Sequence, residues 1–221
     1  MIKMLRSSLM AFLRQFKGGA VQRSPVAQQS QSPVQRKPQK YQAAALSLRD
    51  MALVKSKLHQ QQALKVSTEG AHPLIVEFYR KFHKELEARG FSFYAHCFVR
   101  DAATQRAIYR RGNSKAPPGS SPHNYGLAVD IVHSLYHWEL DDDPQMAERK
   151  WRLIGVIGKE VARKANIPIE WGGDWSFWDP AHWQLKDWRK IRDGEKVFNA
   201  NAYSRPLAAK LRAHKQSRTP L

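Results

Sequence analysis

One cysteine in 221 residues, Cys97, leaves no internal disulfide to form, and its place in the apolar run Phe91 to Val99 marks it as a buried, inert thiol rather than a nucleophile. No stretch is long and apolar enough to span a bilayer as a helix. A cleavable secretory leader also fits poorly. The uncharged run Ser7 to Leu13 only just reaches the apolar core of about 7 to 15 residues that such leaders carry, and Arg14 and Lys17 follow it. Acids are scarce at both ends: residues 1–40 hold 8 Lys and Arg and no acid, and residues 186–221 hold 10 against 3 acids. The net charge of +18 therefore sits on the ends, and the body between them is near neutral. Such ends attract polyanions in general, an anionic envelope or membrane surface included, without implying specific nucleic-acid recognition. No internal repeat is visible.

What is present divides the chain into three. In residues 1–42, Ile2, Leu5, Leu9, Phe12 and Phe16 recur at helical spacing among basic residues, and a Gln-, Ser- and Pro-rich linker follows. Residues 43–192 form the expected folded domain, a monomer, and residues 193–221 a basic tail. Within the domain a loosely helical stretch over 43–65 leads to a helix opened by Pro73, with Leu74, Phe78, Phe82 and Leu86 on one face and Gly90 as its stop. Phe91 to Val99 reads as a strand, Ala102 to Arg111 as a short helix, and Leu127 to Val132 as a second strand. A helix over 144–164 places Ala147, Trp151, Ile154, Gly158, Val161 and Ala165 inward, behind an acidic turn, Asp141 to Asp143, suited to capping it. Short strands at Ile167 to Trp171 and His182 to Leu185 complete an α+β pattern, a small antiparallel sheet flanked by helices. Five of the seven Trp lie between Trp171 and Trp188. Core packing accounts for most, with Trp171, Trp175 and Trp183 the candidates for lining a cleft.

The chemistry concentrates in Ser121-Pro122-His123-Asn124-Tyr125-Gly126-Leu127-Ala128-Val129-Asp130. A chain that turns at Gly126 and continues as a buried strand brings His123 and Asp130 to one point, which suits a metal. Either residue alone reads as an ordinary satisfied polar group. A third ligand is needed, and of the nine His, His182 has the densest context, with Asp179 three residues before it. At that spacing one side chain can ligate while the other handles the proton of the attacking water.

Ser-x-His-x-x-Gly-x-Ala-x-Asp followed by Asp-x-x-His, with Arg100 and Gln105 upstream, resembles the zinc peptidase family of D-alanyl-D-alanine carboxypeptidases and phage L-alanyl-D-glutamate endopeptidases. The likeness runs from about Pro73 to Trp188, and its fold is shared with hedgehog signalling domains. It implies zinc held by His123, Asp130 and His182 in a cleft on the sheet, and Asp179 as the base that moves the water proton to the leaving amine. It also implies Arg100 toward the oxyanion or a substrate carboxylate, and Gln105 and Ser121 as substrate-facing or supporting residues. Glu170 is the rival base. The substrate implied is the peptidoglycan stem peptide. Asp179, where many carboxypeptidases have Glu, and the lack of a clear leader favour an endopeptidase made in a bacterial host's cytoplasm and acting on the wall, as a phage lysis or virion-carried enzyme. A carboxypeptidase, and a wall- or polyanion-binding module that keeps zinc without catalysis, are the alternatives.

Overall fold

The computed structural model describes residues 41–194. The amphipathic segment and nearly all of the linker expected over 1–42, and the tail beyond 194, lie outside the described residues. The elements in order are α1 (Gln42–Leu48), α2 (Met51–Val54), α3 (Lys57–Lys65), α4 (Pro73–Ala88), β1 (Phe93–Cys97), α5 (Ala102–Arg110), a 3₁₀ turn (Pro122–Tyr125), β2 (Ala128–His133), α6 (Pro144–Ala165), β3 (Ile169–Trp171), β4 (His182–Leu185) and α7 (Trp188–Gly194). The strands form one antiparallel sheet in the order β1-β2-β4-β3.

The stretch over 43–65 is three short helices, broken where side chains cap new starts. Asp50 accepts from the Leu53 N–H at 2.8 Å and Ser56 from the His59 N–H at 3.2 Å. In the first of these helices Leu46 is 66% exposed, while Ala44 and Leu48 are buried. Asp143 caps α6 as expected, accepting from Gln145, but Asp141 instead pairs with the buried Lys150 at 2.7 Å. Helix α7 was not expected from the sequence. Its Trp188 is buried against Tyr125 of the 3₁₀ turn, with ring centroids 5.8 Å apart.

Strand alternation sorts the sheet into two faces. On one, Trp183 and Leu185 of β4 meet the aromatic face of α4: Trp183 lies 5.2 Å from Phe78 and 5.0 Å from Phe82, centroid to centroid. Trp171 stacks on Trp183 at 5.6 Å. Helix α6 admits the pair because it offers glycine at the contacts: a Cβ on Gly155 would run into the Trp171 ring, and one on Gly158 into Trp183. Burying side chains of this size contributes roughly 1.5–3 kcal/mol each, so this layer is the main attachment of the sheet to its helices. Trp171 and Trp183 are thereby core residues and do not line a cleft; of the three candidates only Trp175 does. The opposite face of β4 presents His182 and Gln184.

Candidate metal centre

The ladder between β2 and β4 sets Asp130 directly opposite His182 and Ala128 opposite Gln184. His123 reaches the same face from the 3₁₀ turn. Ser121 caps that turn, its hydroxyl accepting from the His123 N–H at 3.4 Å, and Asn124 ties it to the Arg100 carbonyl at 2.8 Å. Gly126 then reverses the chain into β2 with φ +66°, and a Cβ there would collide with the Gly70 carbonyl, so the turn needs glycine twice over.

The three side chains converge. His123 Nε2 lies 3.1 Å from Asp130 Oδ1 and 3.1 Å from His182 Nδ1, which is in turn 3.0 Å from Asp130 Oδ1. The outer nitrogen of each ring faces an acceptor: His123 Nδ1 the Phe98 carbonyl at 3.0 Å, His182 Nε2 the Gln184 Oε1 at 3.1 Å. Each acceptor calls for the proton on that outer nitrogen, which leaves both inner nitrogens as lone pairs aimed at one carboxylate oxygen. Three facing acceptors repel one another unless a cation sits between them. The residues therefore fit a metal ion, on their own tautomers and with the supporting hydrogen bonds that metal-binding histidines require.

The support extends outward. Gln184 donates to Glu170 Oε2 at 2.8 Å, so Glu170, the rival base, holds the amide that orients His182. Arg100 donates to Asp130 Oδ2 at 2.9 Å and to Gln105 Oε1 at 3.1 Å. Gln105 is fully buried, its amide nitrogen bonded to Ser114 Oγ and the Ala116 carbonyl. Of the two roles expected of Gln105 the geometry favours support: it has no exposed surface, and it braces Arg100 against Asp130. Ser121 does border the cleft, though its hydroxyl is engaged in the cap.

The electrostatics follow the geometry. Burial pushes the Asp130 carboxyl up, but His123 and His182 outweigh it and hold the group well below the usual carboxylate range. Burial holds His123 below the usual imidazole value. For His182 burial acts downward too, but the Asp130 carboxylate beside it wins and raises it. Asp179, lining the cleft, is raised, first by burial and then by the charge of Asp130, with His182 and Arg100 opposing. Cys97 is pushed by burial up to about 11, so a thiolate nucleophile is excluded at neutral pH.

The cleft over the centre has a volume of about 970 Å³. Its walls bring in residues the sequence did not single out: His96 of β1, with Trp138 edge-on at 4.9 Å, and the half-exposed Phe177 and Trp178 beside Trp175. Trp175 also lies 5.2 Å from the His182 ring. Gln184 carried one usable signal, its position two residues after His182 on the same strand face; the Phe98 carbonyl carried none, being backbone.

The chain is similar to several known proteins. A family model described as D-alanyl-D-alanine carboxypeptidase matches residues 114–185. The peptidoglycan L-alanyl-D-glutamate endopeptidase CwlK of Bacillus subtilis is 25% identical over 147 residues, which cover 60% of this chain and 84% of that protein. Among solved structures, the L-Ala D-Glu endopeptidase ChiX of Serratia marcescens is similar with a TM-score of 0.45 and 27% identity, over 60% of this chain and 90% of that one. The family match contains Ser121, His123, Asp130, Asp179 and His182, and leaves Arg100 and Gln105 outside. The chain is thus similar over its site-bearing stretch to D-alanyl-D-alanine carboxypeptidases, and over a longer stretch to an L-alanyl-D-glutamate endopeptidase.

Proposed function

We propose that the protein is a zinc peptidase that hydrolyses the stem peptide of bacterial peptidoglycan, at the bond between L-alanine and D-glutamate. The observation that carries the zinc reading is the meeting of His123 Nε2, His182 Nδ1 and Asp130 Oδ1 as unprotonated donors, each with its other atom held by a partner. Three protein ligands leave zinc an open position, the arrangement of a catalytic site. When bound there, zinc acts as a Lewis acid that polarises a peptide carbonyl and makes water nucleophilic near neutral pH.

The chain's own residues do the rest. Asp179 takes the proton of the attacking water and returns it to the leaving amine, a task its raised affinity for protons suits. Arg100 pairs with Asp130 and aims it, and offers positive charge at the cleft wall where the oxyanion develops or a substrate carboxylate binds. The aromatic wall of Trp175, Phe177 and Trp178 keeps bulk water from one side of the site. The choice of bond is supported by the relative CwlK and by the aspartate at position 179. The same reading makes the protein a wall hydrolase of the phage lysis or virion-carried kind, its basic ends concentrating it on an anionic envelope, so that wall binding by the full chain should weaken steeply with salt.

Mass analysis of purified peptidoglycan digested by the full chain tests the proposal. New N-terminal D-Glu supports it, released D-Ala replaces it with a carboxypeptidase, and wall binding without products leaves a non-catalytic module.

A further inference from the structure

Helix α3 buries a single side chain, and that side chain is a histidine: His59 is 0% exposed. Surface helices dock through apolar stripes, so an attachment that rests on an imidazole calls for an account. The His59 ring is held at both nitrogens. Nδ1 is 2.7 Å from Ser134 Oγ, and Nε2 is 3.2 Å from Glu87 Oε1. On α4, His83 stands four residues before Glu87, on the same helix face, with Nδ1 3.4 Å from Glu87 Oε2. Its ring stacks on His59 at 5.4 Å and 16°, and its Nε2 is buried with no hydrogen-bond partner.

Two explanations compete for this cluster. In the first, both imidazoles donate protons to Glu87 and nothing else is needed. Charge-assisted N–H···O bonds of that kind close to about 2.7–2.9 Å, and neither 3.2 nor 3.4 Å does so. In the second, the nitrogens and the carboxylate are ligands. Donors about 2.0–2.2 Å from a tetrahedral ion stand roughly 3.4 Å from one another, and the ligand atoms of these three residues all lie within 4.8 Å. Burial holds the His83 imidazole below its usual value, so it enters as a neutral ligand. With Ser134 Oγ accepting from Nδ1–H, His59 Nε2 carries a lone pair, as His182 Nδ1 does in the centre above. Glu87, with its side chain 37% exposed, gives an ion its way in.

We propose that His59, His83 and Glu87 form a second divalent-metal site, of the zinc class, that pins α3 to α4 and serves stability rather than turnover. No residue of the catalytic cleft belongs to it, so it stands or falls apart from the peptidase reading. The test is bound zinc per chain, measured by atomic emission on the full chain after zinc loading and gel filtration. The wild type is expected to hold two equivalents and His83→Ala one, with turnover retained. In a variant carrying both His123→Ala and His182→Ala, one equivalent should remain, zinc should raise Tm, and cobalt should give the visible absorption of a tetrahedral ion. Adding Glu87→Gln to that variant should abolish all three. A His123→Ala, His182→Ala variant that holds no zinc, or a residual equivalent that survives both His83→Ala and Glu87→Gln, would overturn the proposal.

Discussion

Asp130 on β2 and His182 on β4 are paired directly across an antiparallel ladder, with Oδ1 and Nδ1 3.0 Å apart. Two of the three donors are therefore placed by sheet register, and only His123 depends on a turn. A site built this way is sensitive to what holds each ring in its tautomer more than to loop movement.

Gln184 is the residue that does this for His182. Gln184→Ala should fold normally and lower zinc affinity by about 10- to 100-fold, the usual effect of removing a ligand's hydrogen-bond partner. Competition with a chromogenic chelator reads it. Unchanged affinity would show that His182 needs no orienting partner.

Gly158 tests the packing behind the same strand. Alanine favours a helix over glycine by about 1 kcal/mol, which alone would stabilise α6. The new Cβ, however, falls on the buried Trp183 ring, and overpacking costs about 1–3 kcal/mol or more. Gly158→Ala should therefore lower the urea midpoint, with the Trp183 clash outweighing the helical gain; a raised midpoint would mean that β4 yields freely.

Acid stability reports on His133, which is buried and held down to about 4, first by burial and then by the charge of Lys150. Its folded pKa lies below its unfolded value near 6.5. The unfolded chain binds the proton first, so stability is full above about 6.5 and falls as pH drops toward 4, by an amount on the order of 3 kcal/mol. His133→Asn should flatten that slope by about one proton in urea titrations at pH 7, 6, 5 and 4. An equal slope in the variant would remove His133 from the account.

Much of the centre was legible because its chemistry is local. The turn at Gly126 needs a left-handed residue that no side chain tolerates there, so the His123-to-Asp130 spacing announces its own geometry. The bounds of β4 match those expected, as do the starts of the helices opened by Pro73 and Pro144, where proline and caps mark them. Trp171 and Trp183 were open to a cleft-lining role although alternation alone sets Trp183 on the face opposite His182; a cluster of tryptophans outweighed a period that was there to be read. For Gln105 the supporting role could not be separated from a substrate-facing one, since its partners Arg100, Ser114 and Ala116 meet it only through the packing of the loop after α5. The His59, His83 and Glu87 cluster was invisible for the same reason, because two successive helices have to dock in one particular way before it exists.

The base sets the pH dependence of turnover. Asp179 must be deprotonated to accept the water proton, and burial raises its pKa above the usual carboxylate value. On the acid side kcat/KM should therefore fall through a single ionisation, that of Asp179. Asp179→Asn should lose this limb along with most of its activity; a residual rate that keeps the same limb would assign it to another group.

Turnover and bound zinc, measured together on one preparation of Asp179→Ala, test the division between metal-holding residues and base most directly. Asp179 is not among the three converging donors, so the variant should keep its zinc at His123, Asp130 and His182 and its affinity for wall fragments. Its turnover should nevertheless fall by about 10² to 10⁴, the worth of a positioned general base. Glu170→Ala, which loosens Gln184 instead, should weaken zinc binding and lose turnover only as zinc is lost. Near-normal turnover in Asp179→Ala, with turnover lost and zinc retained in Glu170→Ala, would contradict the account.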